Sequence, residues 1–335
     1  MSDPNLPADF QAPPPPPLSA TPPPAPRPTG LRIPAIILFV LGIAVLVGGI
    51  AKLIAGGIQG GGALAVLGAM VFGFSFIPLP RPGKDPSQPI PLLERIAGVF
   101  YEPSRIFKNL GEHPRWVAAF LIICALNIAY GVAFRTRLTP QRIVSTVTER
   151  MAQTPFIPPE AVEQAKVDQL EELTNPVRQV LAGVKSIVGQ FIYYAFLAAL
   201  FLLGVLVLGG RINYWQAFVV AIYAALPIVI VQRVLSLVLL YIKDPDEIHP
   251  ILGQETLVQD NLSILFSSAD RPILFVLASA IGILSFYSVW LRATGLQNAG
   301  TKVTSTAAWG TAITIWVLGL VVAAIFTAIF PAFIA

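Results

Sequence analysis

The sequence predicts an all-α protein, a polytopic transmembrane helix bundle of about seven spans. Three observations predict it. First, seven stretches carry no charged residue, at 33–51, 53–80, 116–134, 186–210, 212–232, 272–291 and 303–335. Each is about as long as the roughly 20 residues that a helix, rising ~1.5 Å per residue, needs to cross a ~30 Å hydrocarbon core. Second, the chain of 335 residues is 55% hydrophobic and only 12% charged, whereas a soluble domain carries about 25% charged residues. Third, the runs are continuous, where a membrane β-barrel would show alternating segments of ~10 residues.

The elements follow in order. Residues 1–30 contain 12 prolines. Proline fixes φ and lacks an N–H, so this tail is expected to be disordered, extended polyproline II. Arg27 and Arg32 are the only basic residues in or beside it, which favours a spacer over a ligand for SH3-like or WW-like domains. Residues 31–80 read as a two-span hairpin, with spans at about 33–55 and 62–79 and a glycine-rich turn at 55–62. Gly42, Gly48, Gly49, Gly68 and Gly73 let the two backbones approach closely. Pro78, Pro80, Pro82, Pro86, Pro89 and Pro91 then break the helix.

Residues 81–114 form a linker and an amphipathic helix. Leu92, Leu93, Ile96, Val99 and Phe100 recur at helical spacing, and Ile106, Phe107 and Leu110 continue the face after Pro103. Glu94, Arg95, Arg105 and Lys108 make the segment too charged to span, so it is expected to lie in the membrane interface. Five spans follow in 115–335, at about 116–134, 186–208, 215–241, 272–291 and 307–330. Between the first two lies a polar loop, 135–185. It is expected to hold two short helices, one opened by Thr139-Pro140 as N-cap and N1, the other by Pro158-Pro159. Asn175-Pro176 caps a helix that runs into the next span.

Composition excludes several functions. The formal charge of +4 is spread among span-flanking residues, where basic side chains serve topology, so nucleic acid is not an expected partner. Cys124 is the only cysteine; a disulfide within the chain is impossible and a thiol-based metal site is not expected. His113 and His249 are the only histidines, each before a proline in a predicted loop, with no zinc-ligand spacing. No predicted span holds a histidine, which argues against serine proteases of the rhomboid type. Glu171-Glu172 with Arg178 loosely echoes the Glu-Glu and Arg set of abortive-infection-type membrane proteases, but the pair reads as a solvated acidic helix face. The glycines at 56–62 lack the Lys-Ser/Thr of a P-loop. No inverted repeat of a transporter is evident. No cofactor and no small-molecule substrate is implied.

One charge sits within an apolar stretch. Arg233 follows Gln232 and precedes nine uncharged residues. An arginine at a span centre costs about 2.5–3.5 kcal/mol on insertion scales. Two readings compete: Arg233 and Gln232 line a polar pathway, or the arginine pairs structurally or snorkels where the helix surfaces, with Pro227 supplying a bend. Asn127, Gln190 and Gln216 are candidate interhelical partners.

Residues 98–335 resemble the Yip family, the Ypt/Rab-interacting five-span membrane proteins, in its bacterial branch. The resemblance rests on Phe100-Tyr101-Glu102-Pro103, on Phe107, and on Pro114-Arg115-Trp116 opening a span. One span, a polar loop and four further spans then follow, with a short basic loop at 292–302. Eukaryotic members carry an Asp-Leu-Tyr-Gly-Pro-like motif, of which Tyr101 and Pro103 are the counterparts here. The resemblance implies a non-enzymatic scaffold, trafficking or membrane-organising factor. Its partners would be the lipid bilayer, other membrane proteins or further copies of itself. The alternative is a small-solute permease or channel with Arg233 on its pathway. The segments 1–32, 81–115, 211 and 292–302 carry 11 basic residues. By the positive-inside rule they are expected on the cytoplasmic side, with the N-terminus inside and the C-terminus outside, and the resemblance implies that the membrane is a bacterial cytoplasmic (inner) membrane.

Overall fold

A computed structural model describes residues 25–81, 87–154, 157–268 and 270–331. The proline-rich stretch through Pro24 and the linker prolines Pro82 and Pro86 lie outside these. The described residues form thirteen α-helices and no named strand. Six helices are long and apolar enough to cross a membrane.

The hairpin comprises α1 (Arg32–Ile50) and α2 (Gly57–Phe74). The reversal is tighter than the glycine run suggested, at 51–56, where Lys52 (φ 59°) and Gly56 (φ 73°) take left-handed backbone. Gly57 through Gly62 are helical instead. These glycines serve contact between helices: a Cβ on Gly57 would lie 2.8 Å from the Gly49 Cα and the Val45 carbonyl oxygen.

The amphipathic segment forms α3 (Leu92–Tyr101) and α4 (Pro103–Glu112). Proline disfavours helical backbone in the residue before it, and Glu102 (φ −130°, ψ 51°) is the break. Val99, Ile106, Phe107 and Leu110 are fully buried, packed against α9 and α12. The α4 part of the apolar face is therefore occupied by protein, while Leu92, Leu93 and Phe100 of α3 stay exposed. Ser87 and Gln88, just before this segment, are tied to α4. Glu112 accepts from the Ser87 N–H (2.9 Å) and hydroxyl (2.6 Å), and Asn109 donates to the Gln88 carbonyl (2.8 Å). The Ser87 bonds hold the Glu112 carboxyl below its ordinary range.

The core helices are α5 (Val117–Leu138), α8 (Pro176–Val207), α9 (Tyr214–Ile242) and α13 (Ser305–Ile329), with α6 (Pro140–Ala152) and α7 (Pro159–Thr174) in the polar loop. Asn175 caps α8, accepting from the Val177 and Arg178 N–H groups. Thr139 does not cap α6: it has φ 65° and its side chain accepts no capping bond. The acidic face of α7 is ion-paired to α8, Glu171 with Arg178 (2.8 Å) and Glu172 with Lys185 (3.3 Å). α9 sits at the centre; Ala217 through Ala224 are all buried. An aromatic cluster joins the hairpin to this core, with the Phe74 ring 5.3 Å from Tyr214 and 5.5 Å from Phe191.

The apolar run 272–291, expected as one span, is divided. A short α10 (Leu252–Glu255) precedes it, then α11 (Pro272–Ser279) stops and α12 (Ile283–Ala299) begins anew. Gly282 is extended (φ −147°, ψ 164°) and bridges to Asn261. The Asp260 carboxylate accepts from the Leu284 N–H (2.8 Å), supplying the acceptor that a helix start lacks.

The chain passes between two ends of the bundle. At one end Trp215 donates to the Ile77 carbonyl, Gln216 to Gly111, and Arg211 pairs with Lys302 in a backbone bridge. At the other, Arg142 donates to the Pro245 carbonyl and Lys185 to Glu172.

Candidate functional site

The longest polar connection inside the bundle begins at Arg233. α9 is unbroken through Pro227 and Arg233. Arg233 lies nine residues, ~14 Å of rise, before its end. Its Nε donates to Asn127 Oδ1 on α5 (2.6 Å). Its Nη1 donates to the Glu255 carbonyl, and its guanidinium lies 4.9 Å from the centre of the Tyr130 ring. Asn127 in turn donates to Gln190 Oε1 on α8 (2.8 Å), and Gln190 to the Ser186 hydroxyl (3.3 Å). Three helices are thus linked in one chain of polar side chains, each group used as its chemistry allows.

The loop after α9 folds back onto this site. Ser236, three residues from Arg233 and on the same face, accepts from the Leu257 N–H (3.0 Å) and meets the Thr256 hydroxyl (3.2 Å). The Tyr130 hydroxyl donates to the Gly253 carbonyl. His249 Nδ1 accepts from the Ile251 and Leu252 N–H groups, both at 3.2 Å, at the entry to α10. Burial and the nearby Arg150 lower the pKa of His249, so the neutral imidazole required as acceptor is favoured.

Gln232 does not join Arg233. It is half-buried and has no hydrogen bond among the described residues, because adjacent positions on a helix point to different faces. Gln216 serves elsewhere, in a capping box with Asn213 and a bond to the Gly111 carbonyl (3.0 Å). Tyr101 and Pro103 lie apart from this network, at the α3–α4 break, where the Phe100 carbonyl accepts from the Tyr287 hydroxyl of α12. Tyr101 ends α3 and is 65% exposed, while Pro103 is the buried first residue of α4. Glu94 and Glu102 both pair with Arg105 beside them. The candidate residues therefore form two separate places, a polar network and an exposed helix break.

Sequence reasoning missed Tyr130 and the Glu255 carbonyl. A ring face and a backbone oxygen carry no polar signal in sequence, although Tyr130 lies three residues after Asn127. Among the described residues no three His, Cys, Asp or Glu side chains converge as metal ligands would.

The family model of the Yip1 domain matches residues 97–326. The chain belongs to the Yip family. The matched region begins within α3, takes in the Tyr101–Pro103 break and the whole Arg233 network, and ends inside α13. The α1–α2 hairpin precedes the Yip domain. No curated protein and no solved structure is a significant match.

Proposed function

We propose that this Yip-family membrane protein is a non-enzymatic scaffold or organising factor that acts through helix packing and partner contacts, in a trafficking-type or membrane-organising role. The observation that carries the reading is that Arg233 is tied to protein groups through Nε, Nη1 and the face of its guanidinium. An intramembrane arginine that serves a solute presents its donors to a wet cavity. Here Asn127, the Glu255 carbonyl and the Tyr130 ring take up the guanidinium, and the result is a tie between α9, α5 and the following loop. The exposed Tyr101 break, beside the Glu94–Arg105 pair, is the place we assign to partner contact.

The setting we propose is a bacterial cytoplasmic membrane with the N-terminus inside. The short connections at the end holding Arg211 and Lys302 are rich in basic residues and poor in acids, as cytoplasmic connections are. The partners are the bilayer, other membrane proteins or further copies of this chain.

The test is solute flux in proteoliposomes. Wild type and Arg233→Ala are expected to be as tight as protein-free vesicles to small ions and neutral solutes. A flux present in wild type and abolished by Arg233→Ala would establish the permease reading instead.

A further inference from the structure

We propose that the cleft between α5 and α8 binds one anionic phospholipid, with an acyl chain between the helices and the phosphate at Arg135. The two helices both lean on α9 but barely touch each other. The space left between them is about 810 Å³, within the ~300–1,000 Å³ typical of small-molecule sites. It runs along α8 from Pro176 to Ile187, about 16 Å of helix rise. Val132, Val180, Val184 and Ile187 give it apolar walls.

Two glycines keep the cleft open. A Cβ on Gly131 or on Gly183 would meet nothing within 4 Å. Gly42, Gly49, Gly57, Gly61 and Gly68 of the α1–α2 hairpin are the contrast, since there a Cβ would strike backbone. Gly131 and Gly183 therefore hold open a space instead of a contact between helices.

Charge selects the occupant. Arg135 stands in the last turn of α5, and basic side chains at span ends are where headgroups are met. Its Nε donates to the Gly131 carbonyl (3.0 Å), and it has no carboxylate within ion-pair distance among the described residues. Glu172, also on the cleft, is already paired with Lys185. The cleft thus presents one uncompensated guanidinium above an apolar slot. An arginine fork matches phosphate oxygens, and an amphiphile with an anionic head satisfies both parts at once. A neutral lipid would leave the charge unmet, and free phosphate would leave the slot empty.

The test uses the purified full chain and a phosphatidic acid carrying a diazirine on one acyl chain. Crosslinks are expected in the peptides around Gly131 and Gly183, competed by phosphatidylglycerol but not by phosphatidylcholine or inorganic phosphate. Arg135→Gln should weaken the preference for the anionic lipid about tenfold, the size of one charge-assisted hydrogen bond. Gly183→Phe should fill the slot and remove the labelling; Gly131→Leu does the same from the facing helix, should the first variant fold poorly. Labelling spread evenly over α1 and α13, or unchanged in both glycine variants, would overturn the proposal. Competition by inorganic phosphate alone would overturn it too, leaving only an anion site.

Discussion

At the scale of single residues, Arg233 shows how a costly group becomes a structural one. Removing it leaves Asn127 and the Glu255 carbonyl without their donor, and hydrogen bonds to charged groups contribute about 1.5–3 kcal/mol each. Arg233→Met is expected to lower unfolding stability in detergent by about 2 kcal/mol or more. Asn127→Ala should cost less. The double variant should cost less than the sum, because the two share a bond; strict additivity in denaturant melts would show that they do not. His249 gives a pH dependence of known sign. Its pKa is lowered in the folded protein, so the unfolded chain binds a proton first as pH falls below about 6.5. Stability from this group is complete above that value and declines below it. His249→Gln keeps an oxygen acceptor that does not titrate, and should flatten the change in melting midpoint between pH 7.5 and 5.

Arg233 was legible in the sequence because a lone charge in an apolar run is rare. Its partners were only half legible. Asn127 and Gln190 stand out as polar residues within spans, but Glu255 contributes a main-chain oxygen, for which residue type is no guide. Gln232 looked equivalent to its neighbour, and only the helical rotation between them separates their roles. The cleft-lining glycines gave no distinct signal either, since a glycine that opens a space and one that closes a contact look alike in sequence.

At the scale of elements, the hairpin is the clearest case of backbone packing. Its helices have no side chains to interlock at Gly42, Gly49, Gly57, Gly61 and Gly68, and small residues let van der Waals contact do the work that apolar burial cannot do in lipid. Gly57→Val is expected to part α1 from α2 and destabilise the protein by about 3 kcal/mol. Gly73→Ala, with open space around its Cβ, should be neutral or stabilise by up to about 1 kcal/mol through helix propensity. Thermal unfolding in detergent compares them, and equal losses would refute the contact role of Gly57. Span positions were legible here because apolar length is a strong signal. The turn was not, since glycine serves a reversal and a close contact equally well. The division of 272–291 was hidden for another reason: its cause, Asp260, stands a dozen residues before the run begins.

At the scale of the whole molecule, six single helices are long and apolar enough to cross a membrane, and we propose the α11–α12 pair as a seventh pass. Reporters fused to the N- and C-terminus should therefore fall on opposite sides of the membrane, with the N-terminal one cytoplasmic. A C-terminal reporter active in the cytoplasm would refute this orientation. The two ends are also built differently. One is closed by main-chain pairing between Arg211 and Lys302, the other by long side chains such as Arg142, which reaches the Pro245 carbonyl at 2.6 Å and Asp246 at 3.2 Å. Alternation of polar and apolar segments made this arrangement legible, while the side-chain ties depend on contacts between residues about a hundred positions apart.

The Asp260 contact has a consequence for how the chain is made. A nascent segment 272–291 is uniform enough to enter the bilayer as one straight helix, with every backbone group satisfied locally. Breaking it at 280–282 exposes main-chain donors to lipid unless the 260–262 segment is alongside. In the folded chain those donors meet Asp260, whose carbonyl and carboxylate accept from the Ile283 and Leu284 N–H groups.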